Sequence, residues 1–300
     1  MHSNTDQAIS LLAPAKVNLY LHITGKRNDG YHELDSLVSF ADFGDQIRIR
    51  PANEFSFSID GPFARSFTAD EKNTSIESKN LAVRAAHLIA DETGHDLNIE
   101  LKLTKNIPLA SGLGGGSADA AAVIWGLLEF WDIKDNEIKD LNDLLLSLGA
   151  DVPACYSCRT LQMQGIGENI KAIDTLPDMP ALLINPMKRT NTSEVFSLFK
   201  SELKPSSPSL SADKDIIEHL KETDNDLTQA AIKLSPEIKS VLDTLERQED
   251  CILARMSGSG ASCFGLFSDP YMPIDAATEI TREHPEWWVR PVTLNRSSRY

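Results

Sequence analysis

One stretch of this chain decides its fold: Pro108-Leu109-Ala110-Ser111-Gly112-Leu113-Gly114-Gly115-Gly116-Ser117-Ala118, here called the glycine stretch. Four of its residues are glycines and two are serines, and the run at 118–125 contains no glycine or proline. Glycines let a backbone pass close to an anion, and the free N–H groups at a helix start point partial positive charge at the same place. The stretch therefore predicts a phosphate-binding loop followed by a helix, with Ser117 at the N-cap.

Two well-known phosphate loops do not fit this spacing. A Walker loop ends in Gly-Lys-Ser or Gly-Lys-Thr, and the glycine stretch contains no lysine, so a P-loop is excluded. Counted from Gly112 or Gly114, the third glycine of Gly-x-Gly-x-x-Gly is replaced by Ser117 or Asp119, which leaves a dinucleotide fold with weak support. The remaining alternatives are a glycine-rich turn without a ligand and a loop that binds a nucleotide phosphate, and we favour the second.

Length and charge narrow the class of protein. The chain has 300 residues, of which 41% are hydrophobic, enough for two packed domains. The formal net charge of −15 argues against a nucleic-acid partner, because a polyanion needs a basic face. No apolar run approaches the roughly 20 residues of a membrane helix, and the first residues lack the regions of a signal peptide. We therefore expect a cytoplasmic protein without nucleic-acid or membrane partners.

The four cysteines are Cys155, Cys158, Cys251 and Cys263. They are too few and too scattered for a disulfide framework in a chain of this size. Cys155 and Cys158 have the spacing of a redox or zinc motif, but no second Cys-x-x-Cys or His-x-x-x-His completes a metal site. We expect buried apolar cysteines, no structural zinc and no other metal site made by the protein.

Hydrophobic periodicity predicts that the first half of the chain is rich in strands. Polar and apolar residues alternate at 16–23, which is typical of a half-buried strand. Further strands are predicted at 35–40, 46–50, 55–59 and 97–103. Helical spacing predicts helices at 80–90 and 137–148, and Gly149 stands where a glycine ends the second helix.

The pattern changes after residue 163. Short strands at 181–184, 252–256 and 262–267 alternate with helical stretches, and a Ser- and Pro-rich link at 204–209 is typical of an exposed loop. We therefore predict two domains, at 1–163 and 164–300, and the second of them is α/β.

Two charged residues stand among small or apolar neighbours. They are Lys16, in Pro14-Ala15-Lys16-Val17-Asn18, and Asp151, in Gly149-Ala150-Asp151-Val152-Pro153. Phosphoryl transfer needs positive charge on the migrating group and a group that orients the acceptor hydroxyl, and apolar surroundings tune pKa values for such roles. The alternatives are a solvated lysine at a strand edge and an aspartate that caps a helix.

Taken together, these segments resemble the GHMP kinase superfamily. The matching motifs are Ala13 to Leu19, Gly25 to Leu34, the glycine stretch with its continuation to Ala122, Gly149 to Pro153, Asn225-Asp226-Leu227, and Met256 to Ser262. Asp29-Gly30-Tyr31-His32 and Gly149 to Pro153 are similar to the branch that phosphorylates a cytidine-diphosphate-linked methylerythritol in isoprenoid biosynthesis. The resemblance implies an α+β fold of two domains: an N-terminal ribosomal-protein-S5-like, ATP-binding domain and a C-terminal ferredoxin-like α/β domain.

The resemblance also implies roles for individual residues on the acceptor side. Asp151 would be the base for the 2-hydroxyl, with Lys16 beside it and Asn18 hydrogen-bonded to the acceptor. Tyr31 and His32 would recognise cytosine, where the alternative is a surface aromatic pair. The other substrate-binding residues implied are Thr192, Phe196 as the opposite wall of the cytosine slot, and Gly258, Ser259 and Gly260; a core phenylalanine and a plain hairpin turn are the alternatives.

On the nucleotide side, the resemblance implies that the glycine stretch binds ATP and that Mg²⁺ arrives with it. Asn80 and Lys105 lie where the family holds the adenine, although both also fit solvated loop residues. The chain would work as a monomer or homodimer on a small cytidyl substrate. Rival interpretations are another superfamily kinase, acting on homoserine, mevalonate or a sugar, and a noncatalytic RNA-binding module, against which the net charge of −15 counts.

Overall fold

A computed structural model describes residues 8–28, 30–173, 176–200, 202–205 and 215–296. Three parts of the sequence that carry predictions lie outside the described residues. They are the first seven residues, Asp29 of the Asp-Gly-Tyr-His motif and residues 206–209 of the Ser- and Pro-rich link. Within these ranges no helix combines the length and the apolar character needed to cross a bilayer.

The first half of the chain forms a sheet with helices packed against it. Its strands are β1 (Ile9–Lys26), β2 (His32–Pro51), β3 (Ser56–Asp60), β4 (Ile99–Thr104), β5 (Leu161–Gly165) and β6 (Asn169–Ala172). Its α-helices are α1 (Leu81–Thr93), α2 (Gly115–Phe130), α3 (Leu141–Leu148) and α4 (Val152–Ser157), with short 3₁₀ turns at Ala64–Ser66, Asp70–Lys72 and Asp135–Glu137. β1, β4 and β5 pair antiparallel with β2, and α1 carries the chain from β3 to its parallel neighbour β4.

The second half is β7 (Met179–Asn185), α5 (Thr192–Leu198), α6 (Ile216–Lys221), α7 (Thr228–Leu234), α8 (Glu237–Glu246), β8 (Cys251–Met256), β9 (Cys263–Phe267), α9 (Met272–Glu283) and β10 (Trp288–Leu294). The strands follow the order β10-β7-β9-β8, and all pairs are antiparallel. This order with intervening helices is the ferredoxin-like arrangement, so the implied α+β fold is confirmed. One pairing, Leu294 with Ala41, joins β10 to β2.

The boundary placed at residue 163 falls inside β5, and β6 pairs with β5 on the first sheet. Residues up to Ala172 therefore continue the N-terminal sheet before the chain enters β7. The division into 1–163 and 164–300 stays a prediction.

Several predicted elements are corrected. The strand at 16–23 is buried on both faces rather than half-buried, because α2 packs on β1 and apolar side chains of β7, β9 and β10 pack with its Val17 and Leu19. The strands at 35–40 and 46–50 are one continuous strand, β2. The helix at 137–148 starts only at Leu141, and Gly149 ends it with an extended backbone.

Ser117 is not the N-cap of α2. The helix begins at Gly115, and Gly114 is its N-cap with φ of +64°, a left-handed conformation that glycine adopts without strain. Ser117 consequently lies within the first turn of the helix. The helix starts earlier than the pattern predicts because the glycines themselves are part of it.

The prediction of buried cysteines is confirmed for Cys155, Cys158 and Cys263, whereas Cys251 is partly exposed. Burial raises the pKa of the Cys155 and Cys263 thiols, so these side chains stay neutral and behave as small apolar residues.

Candidate active site

A cavity of about 1240 Å³ brings most of the predicted site residues together. The predicted residues that line it are Lys16, Asn18, Tyr31, His32, Asn80, Lys105, Pro108, Leu109, Ala110, Ser111, Gly112, Gly114, Gly115, Gly116, Ser117, Asp151, Thr192, Phe196, Gly258 and Ser259. Leu113, Ala118 and Gly260 are buried behind this surface rather than on it. Leu113 still contributes, because its carbonyl oxygen accepts a 2.9 Å hydrogen bond from the N–H of Lys16.

The glycines of the glycine stretch are needed where it contacts other segments. Gly112 has φ of +77°, and a Cβ there would collide with the carbonyl oxygens of Ser257 and Gly260. A Cβ at Gly114 would lie 3.0 Å from Cβ of Lys16. The loop therefore passes against both β1 and the loop after β8, and only glycine fits at these approaches.

Lys16 and Asp151 form an ion pair inside the cavity. Nζ of Lys16 lies 2.8 Å from Oδ1 of Asp151, and the lysine side chain is only 5% exposed, while that of Asp151 is 34% exposed. Asp151 stands at the start of α4, but its side chain makes no capping hydrogen bond there. The solvated lysine and the helix-capping aspartate are therefore excluded, and the pair is available to a bound substrate.

Asn18 lies two residues along β1 from Lys16. Its Nδ2 donates to Oγ of Ser36 at 2.8 Å, and its backbone N–H donates to Oγ of Ser257 at 3.0 Å. Oδ1 is buried and has no hydrogen-bond partner among the described residues. Because buried polar atoms rarely stay unpaired, this oxygen is suited to accept a hydrogen bond from a ligand in the cavity.

At the opposite end of the cavity, aromatic side chains meet. The rings of His32 and Phe196 stack with centroids 5.2 Å apart at 27°, and Phe199 meets His32 edge-on at 6.2 Å. Tyr31 is 64% exposed beside them. Burial and the charge of Lys26 lower the pKa of His32, which favours the neutral ring. The structure thus brings His32 and Phe196 together, and Phe196 both lines the cavity and packs, partly buried, against the core of the second half.

The loop after β8 contacts the glycine stretch. Oγ of Ser257 donates to the Gly112 carbonyl at 2.9 Å, and the Ser262 N–H donates to the Ser111 carbonyl at 2.9 Å. The hydroxyl groups of Thr192 and Ser259 share a 2.9 Å hydrogen bond. The loop is also the turn between β8 and β9, as the hairpin alternative describes, and its role in substrate binding stays a prediction.

Asn80 and Lys105 are buried, so the solvated alternatives are wrong. Oδ1 of Asn80 accepts from the Ala82 N–H at 2.9 Å and caps α1. Nζ of Lys105 bonds to Asp45 at 2.5 Å and to Asp119 at 2.6 Å. Lys105, just before the glycine stretch, therefore holds two buried carboxylates, Asp45 on β2 and Asp119 on α2.

Lys105, Asp45 and Asp119 form a triad, here called the buried triad, and the pKa values of Lys105 and Asp119 are shifted from their usual range. Burial lowers the pKa of Lys105, but Asp119 and Asp45 outweigh it and hold that pKa above its usual range. Burial raises the pKa of Asp119, and the Asp45 carboxylate adds to the increase against the attraction of Lys105. Oδ1 of Asp45 accepts from two backbone N–H groups at 2.6 and 2.8 Å, whereas Oδ1 of Asp119 has no partner among the described residues. The raised pKa means that the Asp119 carboxyl binds a proton more readily than an exposed aspartate does.

Asp45 was missed from the sequence. It lies inside a long strand, and no local motif marks it. Asp42 lies three residues away and polar residues alternate with apolar ones at 46–50, so nothing in the pattern separates Asp45 from a surface carboxylate.

The fold and this cavity define a class of kinase, and comparison with family models agrees. The model described as GHMP kinases N terminal domain matches residues 80–159, and the model described as GHMP kinases C terminal matches residues 210–286. The chain belongs to the GHMP kinase family.

Within that family, two similar proteins carry the name 4-diphosphocytidyl-2-C-methyl-D-erythritol kinase. The protein from Roseobacter denitrificans is 42% identical over 292 residues, which cover 96% of this chain and 94% of that protein. The protein from Ruegeria pomeroyi is 44% identical over 287 residues, covering 94% and 97%.

Comparison with solved structures agrees with this family assignment. A crystal structure of 4-(cytidine 5'-diphospho)-2C-methyl-D-erythritol kinase superposes with a TM-score of 0.77 at 33% identity, covering 96% of this chain and all of the other. Homoserine kinase from Cytophaga hutchinsonii superposes with a TM-score of 0.71 at 17% identity, covering 99% and 98%. The second likeness extends to the fold alone.

Proposed function

We propose that this chain transfers the γ-phosphoryl group of ATP to the 2-hydroxyl of 4-(cytidine 5'-diphospho)-2-C-methyl-D-erythritol. The products are the 2-phosphate and ADP, in the non-mevalonate route to isoprenoid precursors. The observation that carries the proposal is the Lys16–Asp151 ion pair at 2.8 Å, in a cavity bounded by the glycine stretch and by the His32–Phe196 stack. These three features, in one cavity, support the proposal of a donor site, a reacting pair and a site for an aromatic base.

The glycine stretch is the proposed site of the ATP phosphates. The first N–H groups of α2 follow directly on Gly114, so the positive end of the helix dipole faces the triphosphate. Asn80 and Lys105 complete the proposed nucleotide site near the adenine. Mg²⁺ enters with ATP as part of the substrate, and the Ser117 hydroxyl in the first turn of α2 is the protein group we place beside it.

Asp151 is the proposed partner of the acceptor hydroxyl. The hydroxyl oxygen forms a bond to the γ-phosphorus while the bond from that phosphorus to the ADP oxygen breaks, and Asp151 orients the hydroxyl or takes its proton. Lys16 stabilises negative charge on the acceptor oxygen, because a buried cation acts more strongly than one in water. Asn18 supplies an unpaired Oδ1 to hydrogen-bond the acceptor.

The aromatic end of the cavity is the proposed cytosine site. Tyr31 and Phe196 offer ring faces and His32 offers hydrogen bonds, because an aromatic base binds by stacking and by its polar edge. Thr192, Gly258 and Ser259 are proposed to hold the rest of the cytidyl substrate, while Gly260, which lies behind the cavity surface, supports their loop. The cytoplasmic location, the monomeric or homodimeric state and the absence of nucleic-acid and membrane partners stay predictions.

The test is ATP consumption by the purified protein with Mg²⁺ and one acceptor at a time. The acceptors are the cytidyl substrate, homoserine, mevalonate and galactose. Turnover with the cytidyl substrate alone supports the proposal. Turnover with another acceptor instead leaves an ATP-dependent GHMP kinase and overturns the assignment of the acceptor pocket.

A further inference from the structure

A short segment between α6 and α7 is bound to the strand that carries Lys16. The N–H of Leu21 donates to the Asp224 carbonyl at 3.0 Å, and the N–H of Asp226 donates to the Leu21 carbonyl at 2.9 Å. The N–H of Ile23 donates to Oδ2 of Asp226 at 2.9 Å. Asn225, between these two aspartates, is therefore held at a fixed place beside β1.

Both the Nδ2 and the Oδ1 atom of the Asn225 side chain make hydrogen bonds within the protein. Its Nδ2 donates to the carbonyl oxygens of Met256 and Gly258, both at 2.8 Å, and its Oδ1 accepts from the Leu227 N–H at 3.0 Å. The residue is 5% exposed, so these bonds are not shared with bulk water. The two carbonyls flank Ser257, which means that one amide group holds both ends of this turn.

Ser257 connects that turn to both sides of the cavity. Its Oγ accepts from the backbone N–H of Asn18 at 3.0 Å and donates to the Gly112 carbonyl at 2.9 Å. Gly258 lies in the same gap, because a Cβ there would be 3.3 Å from Oδ1 of Asn18 and 3.1 Å from the Gly112 carbonyl oxygen. The turn therefore spaces the acceptor strand from the glycine stretch.

We propose that Asn225 is a positioning residue, which holds the turn at 256–258 so that the phosphate donor and the acceptor meet at the right distance. Asn225 is not among the residues that line the cavity, and it acts through Ser257 and Gly258. The inference rests on the proposed kinase function, since it concerns the geometry of that transfer. Reacting groups misplaced by about 1 Å lose on the order of 100-fold in rate, so a small movement of the turn has a large effect on kcat.

The variant that tests this role is Asn225→Asp. The new carboxylate keeps an oxygen for the Leu227 N–H, but it places an acceptor against the carbonyls of Met256 and Gly258, where a donor is required. We expect kcat to fall about 10- to 100-fold, because the turn moves away from its place. We expect KM for ATP to change less than about threefold, because the glycine stretch and the start of α2 remain.

Thr228→Ala is the matched control. Oγ1 of Thr228 donates to the backbone carbonyl of Asn225 at 2.8 Å, so this variant weakens the same segment without touching the bonds to the turn. We expect its kcat to stay within about twofold of wild type, because the loss of one partly buried hydrogen bond outside the turn mainly affects stability. Amide hydrogen exchange in peptides covering 256–262 is expected to be faster in Asn225→Asp and unchanged in Thr228→Ala.

Where the aspartate variant does not fold, Asn225→Ala removes the two donors without adding charge and serves in its place. Wild-type kcat in the Asn225 variant, an equal loss in Thr228→Ala, or unchanged exchange at 256–262 overturns the inference. Failure of the wild-type protein to use the cytidyl acceptor is a different result. It overturns the proposed function, while the exchange comparison still decides whether Asn225 holds the turn.

Discussion

Nζ of Lys16 lies 2.8 Å from Oδ1 of Asp151, and the two residues come from the middle of β1 and the start of α4. The lysine side chain is shielded from water, and the carboxylate is partly open to the cavity. This arrangement leaves the carboxylate within reach of a substrate while its cation stays in place. A preorganised pair of this kind needs little rearrangement when charge develops on an acceptor oxygen.

Asp151→Asn tests the carboxylate directly. The amide keeps a similar shape but loses the charge, so we expect kcat to fall about 10²–10³-fold with the fold retained. Lys16→Met is expected to show a loss of similar size. Because the two groups act as a unit, the double variant is expected to lose far less than the product of the single losses. Steady-state ADP release measures these values, and near-wild-type kcat in Asp151→Asn contradicts the assigned role.

Gly112→Ala tests the close approach of the glycine stretch to the turn after β8. The new Cβ meets the carbonyl oxygens of Ser257 and Gly260 in a backbone of positive φ, so we expect loss of ATP binding and of most activity. Gly94→Ala is the matched control, because Gly94 also has a positive φ, +69°, but nothing lies within 4 Å of its Cβ position. That control is expected to cost about 1 kcal/mol of stability and no ATP affinity. Titration calorimetry with a nonhydrolysable ATP analogue measures both, and equal effects in the two variants contradict the prediction.

Phe196→Leu tests the aromatic end of the cavity. Leucine keeps an apolar side chain but removes the ring that stacks on His32 at 5.2 Å. We expect KM for the cytidyl substrate to rise about 5- to 10-fold, because one aromatic stack contributes about 0.5–1.5 kcal/mol. KM for ATP serves as the internal control and is expected to stay unchanged. A parallel rise in both KM values indicates a general distortion of the cavity instead.

Asp119→Asn tests the raised pKa of the buried Asp119 carboxyl. The folded-state pKa of Asp119 is raised above its unfolded value, so the folded protein holds a proton that the unfolded chain releases. The resulting stability is complete below the unfolded pKa, near 4, and is lost as pH rises through the folded pKa. Wild type is therefore expected to lose stability relative to the variant over that window, by at most about 1.4 kcal/mol per pH unit. Urea denaturation at several pH values measures the difference, and a constant difference contradicts the assignment.

The spacing of apolar residues and glycines predicted most of the elements that surround the site. Its errors have local causes: Gly114 adopts a left-handed conformation that starts α2 before Ser117, and β2 continues through 41–45 although its pairing with β1 is interrupted between Phe40 and Gly44. Asp45 had no signal in the sequence, because a buried carboxylate is recognisable only by its partner. Lys105 was placed near the nucleotide, but its two ion pairs are made with residues from other elements.

The motifs of the sequence were enough to locate a glycine-rich loop ahead of α2, to identify the kinase family and to select side chains as candidates for chemistry. Those features depend on residue type and spacing within short segments. Only the tertiary structure decided that Lys16 faces Asp151, that Lys105 joins two carboxylates and that Asn225 holds the turn beside Gly112. The physical reason is that burial and pairing of a polar group depend on segments far apart in the chain, which meet only when the core packs.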